Sequence, residues 1–319
     1  MMRLFRPKSS LLLLSLLLLS THNTDVANGL RILLTNNDGI DHIGLQTLKT
    51  ALQETDQHDV FVYAPRQEFT GPGAALTLPF LNTTQVAPQE FAVEGFASSC
   101  VLLGLTEVTD IDLVISGPSP GFTSGGQDLH SGTLAAALTA ISKNVPAFAI
   151  LSDASGATSS SASSSGSGSS GNTTTDTLTT SMYFGNVARF VVQLVDTLAE
   201  ELPKFPNHVG LKIGYPSIAL PSNQIRGVAL AANNNFSPVT FTYTMDNGGE
   251  EGGGSPQQLV AQAIAVEDTT TDPASDYSLL QNGFIAALAI QNDISVKTTH
   301  YNGFFLGGLA LKLEGISVQ

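Results

Sequence analysis

Three polar segments carry the residues of this 319-residue chain best suited to chemistry. The first, Thr35-Asn36-Asn37-Asp38-Gly39-Ile40, sets the carboxylate of Asp38 beside two amides. The second runs from Pro65 to Thr70-Gly71-Pro72-Gly73 and adds a hydroxyl. The third is Ser116-Gly117-Pro118-Ser119-Pro120-Gly121, which continues to His130-Ser131-Gly132-Thr133. That last quartet opens an Ala-rich helical stretch. A helix start presents free N–H groups and the positive end of a dipole, so Ser131, Gly132 and Thr133 suit a phosphate. Each segment alone also reads as ordinary turn chemistry, because Asn, Asp and Gly are turn formers. Ser131 equally reads as a plain helix N-cap. What distinguishes the three is the place at which they would converge.

That place follows from the elements around them. Arg31–Thr35 is a short apolar run that suits a buried strand. Apolar residues at Ile43, Leu45, Leu48 and Leu52 make a helical stripe over 43–52. Strands are expected at 60–64, 76–80, 91–93, 111–116 and 146–151. Helices are expected at 98–105, capped by Ser98 or Ser99, and at 131–141. Such alternation predicts an α/β fold with a mostly parallel sheet and helices on both faces. Ligands of such sheets bind just beyond the carboxyl ends of the strands, where all three polar segments fall. The second half predicts a helix over 182–201 and strands near 209–215, 227–231, 239–245 and 283–290.

Composition narrows the function. With 42% hydrophobic and 13% charged residues the chain is not disordered as a whole. Thirteen Lys and Arg against 27 Asp and Glu, a net charge of −14, argue against a nucleic-acid polymer as partner. A single cysteine, Cys100, excludes an intramolecular disulfide. Arg3, Arg6 and Lys8 precede a leucine run over 11–19, the pattern of a signal peptide over residues 1–27. The run is about half the ~20 residues of a spanning helix, so a secreted chain without a stable membrane span is expected. Secretion gives meaning to the glycosylation triplets at Asn82, Asn172 and Asn235. Residues 28–319 read as one domain. Its insertion at 154–181, where all but Asp176 and Leu178 are Ser, Thr, Gly, Ala or Asn, is expected to be flexible. A second flexible stretch is expected at 246–255.

Taken together, these segments resemble the SurE family of metal-dependent phosphatases, also known as survival protein SurE or stationary-phase survival nucleotidases. The family's T-N-D-D-G-I opening is similar to TNNDGI at Thr35 to Ile40. Its A-P-…-S-G-…-L-T loop resembles Ala64-Pro65, Thr70-Gly71 and Leu76-Thr77. Its S-G-x-N-x-G turn resembles SGPSPG at Ser116 to Gly121, and its Y-S-G-T helix start resembles His130 to Thr133. Its D-C-V-x-L-G-L helix resembles SCVLLGL at Ser99 to Leu105, which assigns Cys100 to packing. The match runs in order from Arg31 to about Ile150, with a weaker echo at 210–216 and 276–290.

The resemblance implies a Rossmann-like three-layer core with a C-terminal β-rich extension, often exchanged within a homodimer. It implies hydrolysis of small phosphomonoesters, as by a nucleotidase or acid phosphatase, with a divalent metal such as Mg or Mn. The family's metal ligands carry over to Asn37, Asp38, Thr70 and Ser119, with Asp38 also the catalytic residue, and its phosphate site to Ser131, Gly132 and Thr133. Only Asp38 is the family residue among the four. Asn37 replaces an acid, Thr70 a serine and Ser119 an asparagine, while Thr123 replaces a second asparagine and His130 the tyrosine. Hard divalent ions depend on carboxylate charge, so the resemblance implies weak binding here. It leaves open a second outcome, a secreted binding protein that keeps the fold and has lost catalysis with its ligands.

Overall fold

The computed structural model describes residues 29–154, 173–220, 224–232, 239–245, 259–265, 272–291, 309, 312, 313, 315 and 316. The expected leader over 1–27, residues 155–172 of the expected insertion, Asn172, Asn235 and the stretch 246–255 lie outside them.

Strand β1 (Arg31–Thr35) sits in the middle of a nine-stranded sheet, and its Ile32, Leu33 and Leu34 are fully buried. A strand covered on both faces needs an unbroken apolar run, and β2 (Asp59–Pro65) and β5 (Leu113–Ser119) on either side have the same character. The full order is β3-β4-β2-β1-β5-β6-β7-β11-β8, where β3 is Thr83–Ala87, β4 Glu90–Val93 and β6 Ala147–Ser152. The rest are β7 (Val209–Tyr215), β8 (Val228–Leu230) and β11 (Ile285–Gln291). All neighbours run parallel except β3 with β4 and β7 with β11. Strands β9 (Val239–Met245) and β10 (Leu259–Ala265) pair antiparallel in a separate two-stranded sheet.

Helices cover both faces. Helix α1 (Ile43–Gln53) and α4 (Thr173–Leu198) share one hydrophobic cluster, with Leu45, Leu48, Leu52, Val191 and Leu194 against the sheet. Helix α2 (Ala97–Glu107) and α3 (Gly132–Ser142) share the other, through Cys100, Val101, Ala136, Ala140 and Ile141. Each fully buried Leu, Ile or Val adds about 1.5–3 kcal/mol over its exposed state, which makes these two layers the main stabilising term. A short helix α5 (Asp276–Gln281) leads into β11. The three-layer α/β expectation therefore holds.

Several boundaries differ from the sequence reading. The expected strand at 76–80 is irregular chain with Leu78 and Phe80 79% and 84% exposed; its apolar residues are a surface feature and not a pleat. The edge strand is β3, whose polar Thr83, Thr84 and Gln85 face solvent and hid it from a hydrophobicity reading. Helix α2 begins at Ala97, with Phe96 at the N-cap making no side-chain bond. The expected caps Ser98 and Ser99 are buried inside it, and Ser99 Oγ accepts from the Thr77 amide at 2.8 Å. Helix α4 begins at Thr173, so 173–181 of the expected flexible insertion are helical. Strand β10 and helix α5 had no counterpart in the sequence reading.

Candidate active site

The carboxyl ends of β1, β2 and β5 place the three polar segments side by side. The first turn closes on itself, since Asn36 Nδ2 donates to Gly39 O at 2.8 Å, and Gly39 holds φ 101°, where a side chain would be strained. The second segment is laced to it. Ile40 N–H donates to Pro65 O at 2.7 Å and Phe69 N–H to Asn37 O at 2.8 Å. Residue 68 thus stands beside Asp38. The third segment is fixed from β6, where Ser152 Oγ donates to Ser119 O at 2.8 Å.

Four side-chain oxygens meet there. Ser119 Oγ lies 2.9 Å from Asn37 Oδ1, 2.5 Å from Asp38 Oδ2 and 2.6 Å from Thr133 Oγ1. Thr133 Oγ1 donates to Asn37 Oδ1 at 2.7 Å. The start of α3 can approach this closely because residue 132 is glycine: a Cβ there would stand 2.9 Å from Asn37 Cβ. Two hydroxyl protons serve four close oxygen–oxygen contacts, so the set holds more acceptors than donors. That is the chemistry of a hard cation site, or of a carboxyl group that keeps a proton. Burial, helped by the Glu68 charge and opposed by the Ser119 hydrogen bond, pushes Asp38 up to about 7.

The four oxygens open into a cavity of about 390 Å³ lined by Asp38, Glu68, Thr70, Ser119, His130 and Thr133, among others. Thr70 belongs to this cavity but not to the oxygen cluster; its hydroxyl donates to Glu68 Oε1 at 2.6 Å. Ser131 caps α3, its Oγ accepting from Leu134 N–H at 3.2 Å, so the plainer reading of that side chain holds. With the Leu134 amide capped, Gly132 and Thr133 head the helix with N–H groups that no helical carbonyl can reach. A larger hollow of about 630 Å³ lies between α1 and α4, away from the three polar segments.

Two contributors escaped the sequence reading, and a third has a role beyond the one read for it. Glu68 supplies a second carboxylate, and its place two residues before Thr70 was the available signal. Ser152 anchors Ser119 from a strand whose sequence looks purely structural. Thr133 joins the oxygen cluster through its side chain rather than only through its amide. Two nearby side chains of reactive type serve structure. His42 caps α1, its Nδ1 accepting from Gly44 N–H at 3.2 Å, and burial lowers its basicity. Its ring stands edge-on to Phe184 with centroids 5.4 Å apart. Cys100 is buried in α2, and burial pushes its thiol far up.

Comparison with known proteins shows the family and the fold. The profile of the family described as "Survival protein SurE" matches residues 32–237, well over half of the chain. The chain belongs to the SurE family. It is 30% identical to the 5'-nucleotidase SurE of Syntrophobacter fumaroxidans over 85% of this chain and 96% of that one. It is also 30% identical to the 5'-nucleotidase SurE of Pseudomonas aeruginosa strain LESB58, over 88% of this chain and 100% of that one. The SurE fold is shared with the crystal structure of the SurE protein from Aquifex aeolicus. That match has a TM-score of 0.63 at 20% identity and covers 87% of this chain and 99% of the other. Among the described residues of this SurE chain, no group of three or more His, Cys, Asp or Glu side chains is placed to hold a metal. The site's donors are mostly neutral oxygens.

Proposed function

We propose that this chain is a divalent-metal-dependent phosphomonoester hydrolase acting on small phosphate esters, nucleoside 5'-monophosphates among them. The observation that carries the reading is the meeting of Asn37, Asp38, Ser119 and Thr133 oxygens beside the head of α3, inside one cavity. An oxygen set with too few protons fits a hard cation such as Mg or Mn. Asp38 would be its principal ligand, with the neutral oxygens of Asn37, Ser119 and Thr133 beside it; Thr70, on the same cavity wall, would join only by turning its hydroxyl from Glu68, and the ion would be held weakly. When bound, the ion supplies positive charge against the phosphoryl oxygens.

The chain's own groups do the rest. The Gly132 and Thr133 amides and the positive helix end receive the phosphate, with Ser131 holding the turn in shape. Asp38, fixed by the Ser119 hydroxyl, would orient the attacking water beside the ion. His130 is exposed at the rim, where a leaving oxygen would emerge. Among the described residues no Lys or Arg lines the cavity, so the anion is received by backbone dipoles rather than by side-chain cations.

The basic segment and leucine run near the start of the chain support export, and among the described residues no helix is long and apolar enough to cross a membrane. Exposed Asn82 would then be open to glycosylation, and a homodimer is the expected assembly. A second reading, a binding protein without turnover, is favoured by the amide at Asn37. Hydrolysis of p-nitrophenyl phosphate and nucleoside monophosphates, with Mn2+ or Mg2+ and then with chelator, separates the two. Chelator-sensitive turnover supports the hydrolase. Phosphate binding without turnover at any pH or metal supports the second reading.

A further inference from the structure

Lys212, on β7, is 1% exposed, and its ammonium is used in full. Nζ donates to Asp128 Oδ1 and Oδ2 at 2.9 and 2.8 Å and to Asp276 Oδ2 at 2.9 Å. The Phe122 ring lies 4.9 Å from Nζ, close against Gly214 of the same strand, where a Cβ would come within 2.6 Å of that ring. Asp276 opens α5, and its Oδ1 accepts from Ser124 Oγ at 2.7 Å. Asp128 Oδ1 accepts from Thr123 Oγ1 at 2.7 Å. One buried cation thus joins β7 and α5 to residues 122–128.

That segment is a wall of the active-site cavity. Thr123, Gln127 and His130 line the cavity, and the 3-10 turn Gly125–His130 ends at Ser131, whose N–H donates to Asp128 O at 3.2 Å. Asp128 therefore holds the wall twice, by its side chain at Thr123 and by its carbonyl at the N-cap of α3. Burying three charges is costly and is sustained only by complete pairing, while apolar packing would fill the same space at less cost. Burial pushes the Asp128 carboxyl up and Lys212 pulls it back.

We propose that Lys212 is a positioning residue for the active site, acting through Asp128 to fix the 122–131 wall and the head of α3. The phosphate-binding consequence rests on the hydrolase reading; the mechanical one does not. The test compares wild type, Asp128→Asn, Lys212→Met and the double variant. Amide hydrogen exchange, inhibition by inorganic phosphate, and KM and kcat for p-nitrophenyl phosphate are measured on each. Asp128→Asn keeps the shape and is expected to fold even if Lys212→Met does not. Exchange over 122–134 should quicken about tenfold in Asp128→Asn, with β1 and α1 unchanged. The phosphate inhibition constant and KM should rise about tenfold with kcat within about threefold, and the double variant should be no worse than Lys212→Met. Unchanged exchange at 122–134, or a loss spread evenly over the fold, overturns the proposal. So does a lowered melting temperature with phosphate inhibition intact. A wild type that neither turns over nor binds phosphate refutes the hydrolase reading, and the exchange comparison then still decides the role of Lys212.

Discussion

Two polar clusters flank the 122–131 segment and balance their charge in opposite ways. At Lys212 two carboxylates close on one ammonium, and every proton of that ammonium has an acceptor. Around Asp38 a carboxylate meets two hydroxyls and an amide oxygen, within reach of the Glu68 charge. The first cluster is complete within the protein and serves to hold still. The second is balanced only by a proton on Asp38 or by a cation, so it is the one that responds to pH and to metal. The difference shows why burial of charge alone does not mark a reactive site; the ratio of acceptors to protons does.

The largest way to break this comparison is Asp38→Ala. It removes the single carboxylate of the oxygen cluster, and p-nitrophenyl phosphate hydrolysis should fall by more than about 1,000-fold. A loss under tenfold would move catalysis elsewhere. Asn37→Asp sharpens it from the other side. The new carboxylate can still accept from Ser119 and Thr133, and the Mn2+ dissociation constant should fall about tenfold or more. Calorimetric titration reads this directly, and unchanged affinity would remove Asn37 from the shell. Glu68→Gln acts from the neighbouring loop, so a weaker effect is expected, about three- to fivefold poorer Mn2+ binding.

A separate effect is on stability. Asp38 has a folded pKa raised to about 7, so the folded state binds the extra proton. Its favourable contribution is full below the ordinary carboxylate range, near ~4, and is lost as pH climbs through about 7. The melting temperature of metal-free wild type, minus that of Asp38→Asn, should therefore drop by roughly 5 °C between pH 4.5 and 7.5. A flat difference would show that Asp38 ionises normally.

Much of the scaffold was legible in the sequence because β1, β2 and β5 are buried on both faces, and that leaves an unbroken apolar run. Helix α1 was legible for the matching reason, a clean stripe at Leu45, Leu48 and Leu52. Edges were not. Strand β3 carries threonines and glutamine because it faces solvent, while the apolar residues at 76–80 are exposed and mimicked a strand. The turn holding Asp38 and the one holding Ser119 were readable from residue type, and their meeting followed from sheet topology. Thr70 was read as a metal ligand; it lines the cavity, and its hydroxyl turns to Glu68, a pairing two residues apart that no spacing rule announces. Lys212 was invisible, since a lysine in an apolar strand shows its purpose only when Asp128 and Asp276 arrive from distant parts of the chain.

The central claim is that the Asp38 cluster holds a divalent cation. Titration of the wild-type protein with Mn2+, followed by the loss of the free-ion paramagnetic resonance signal, tests it with Asp38→Ala as control. The account predicts one site per chain in the wild type and none in the variant. Equal binding by both proteins, or none by either, would contradict it.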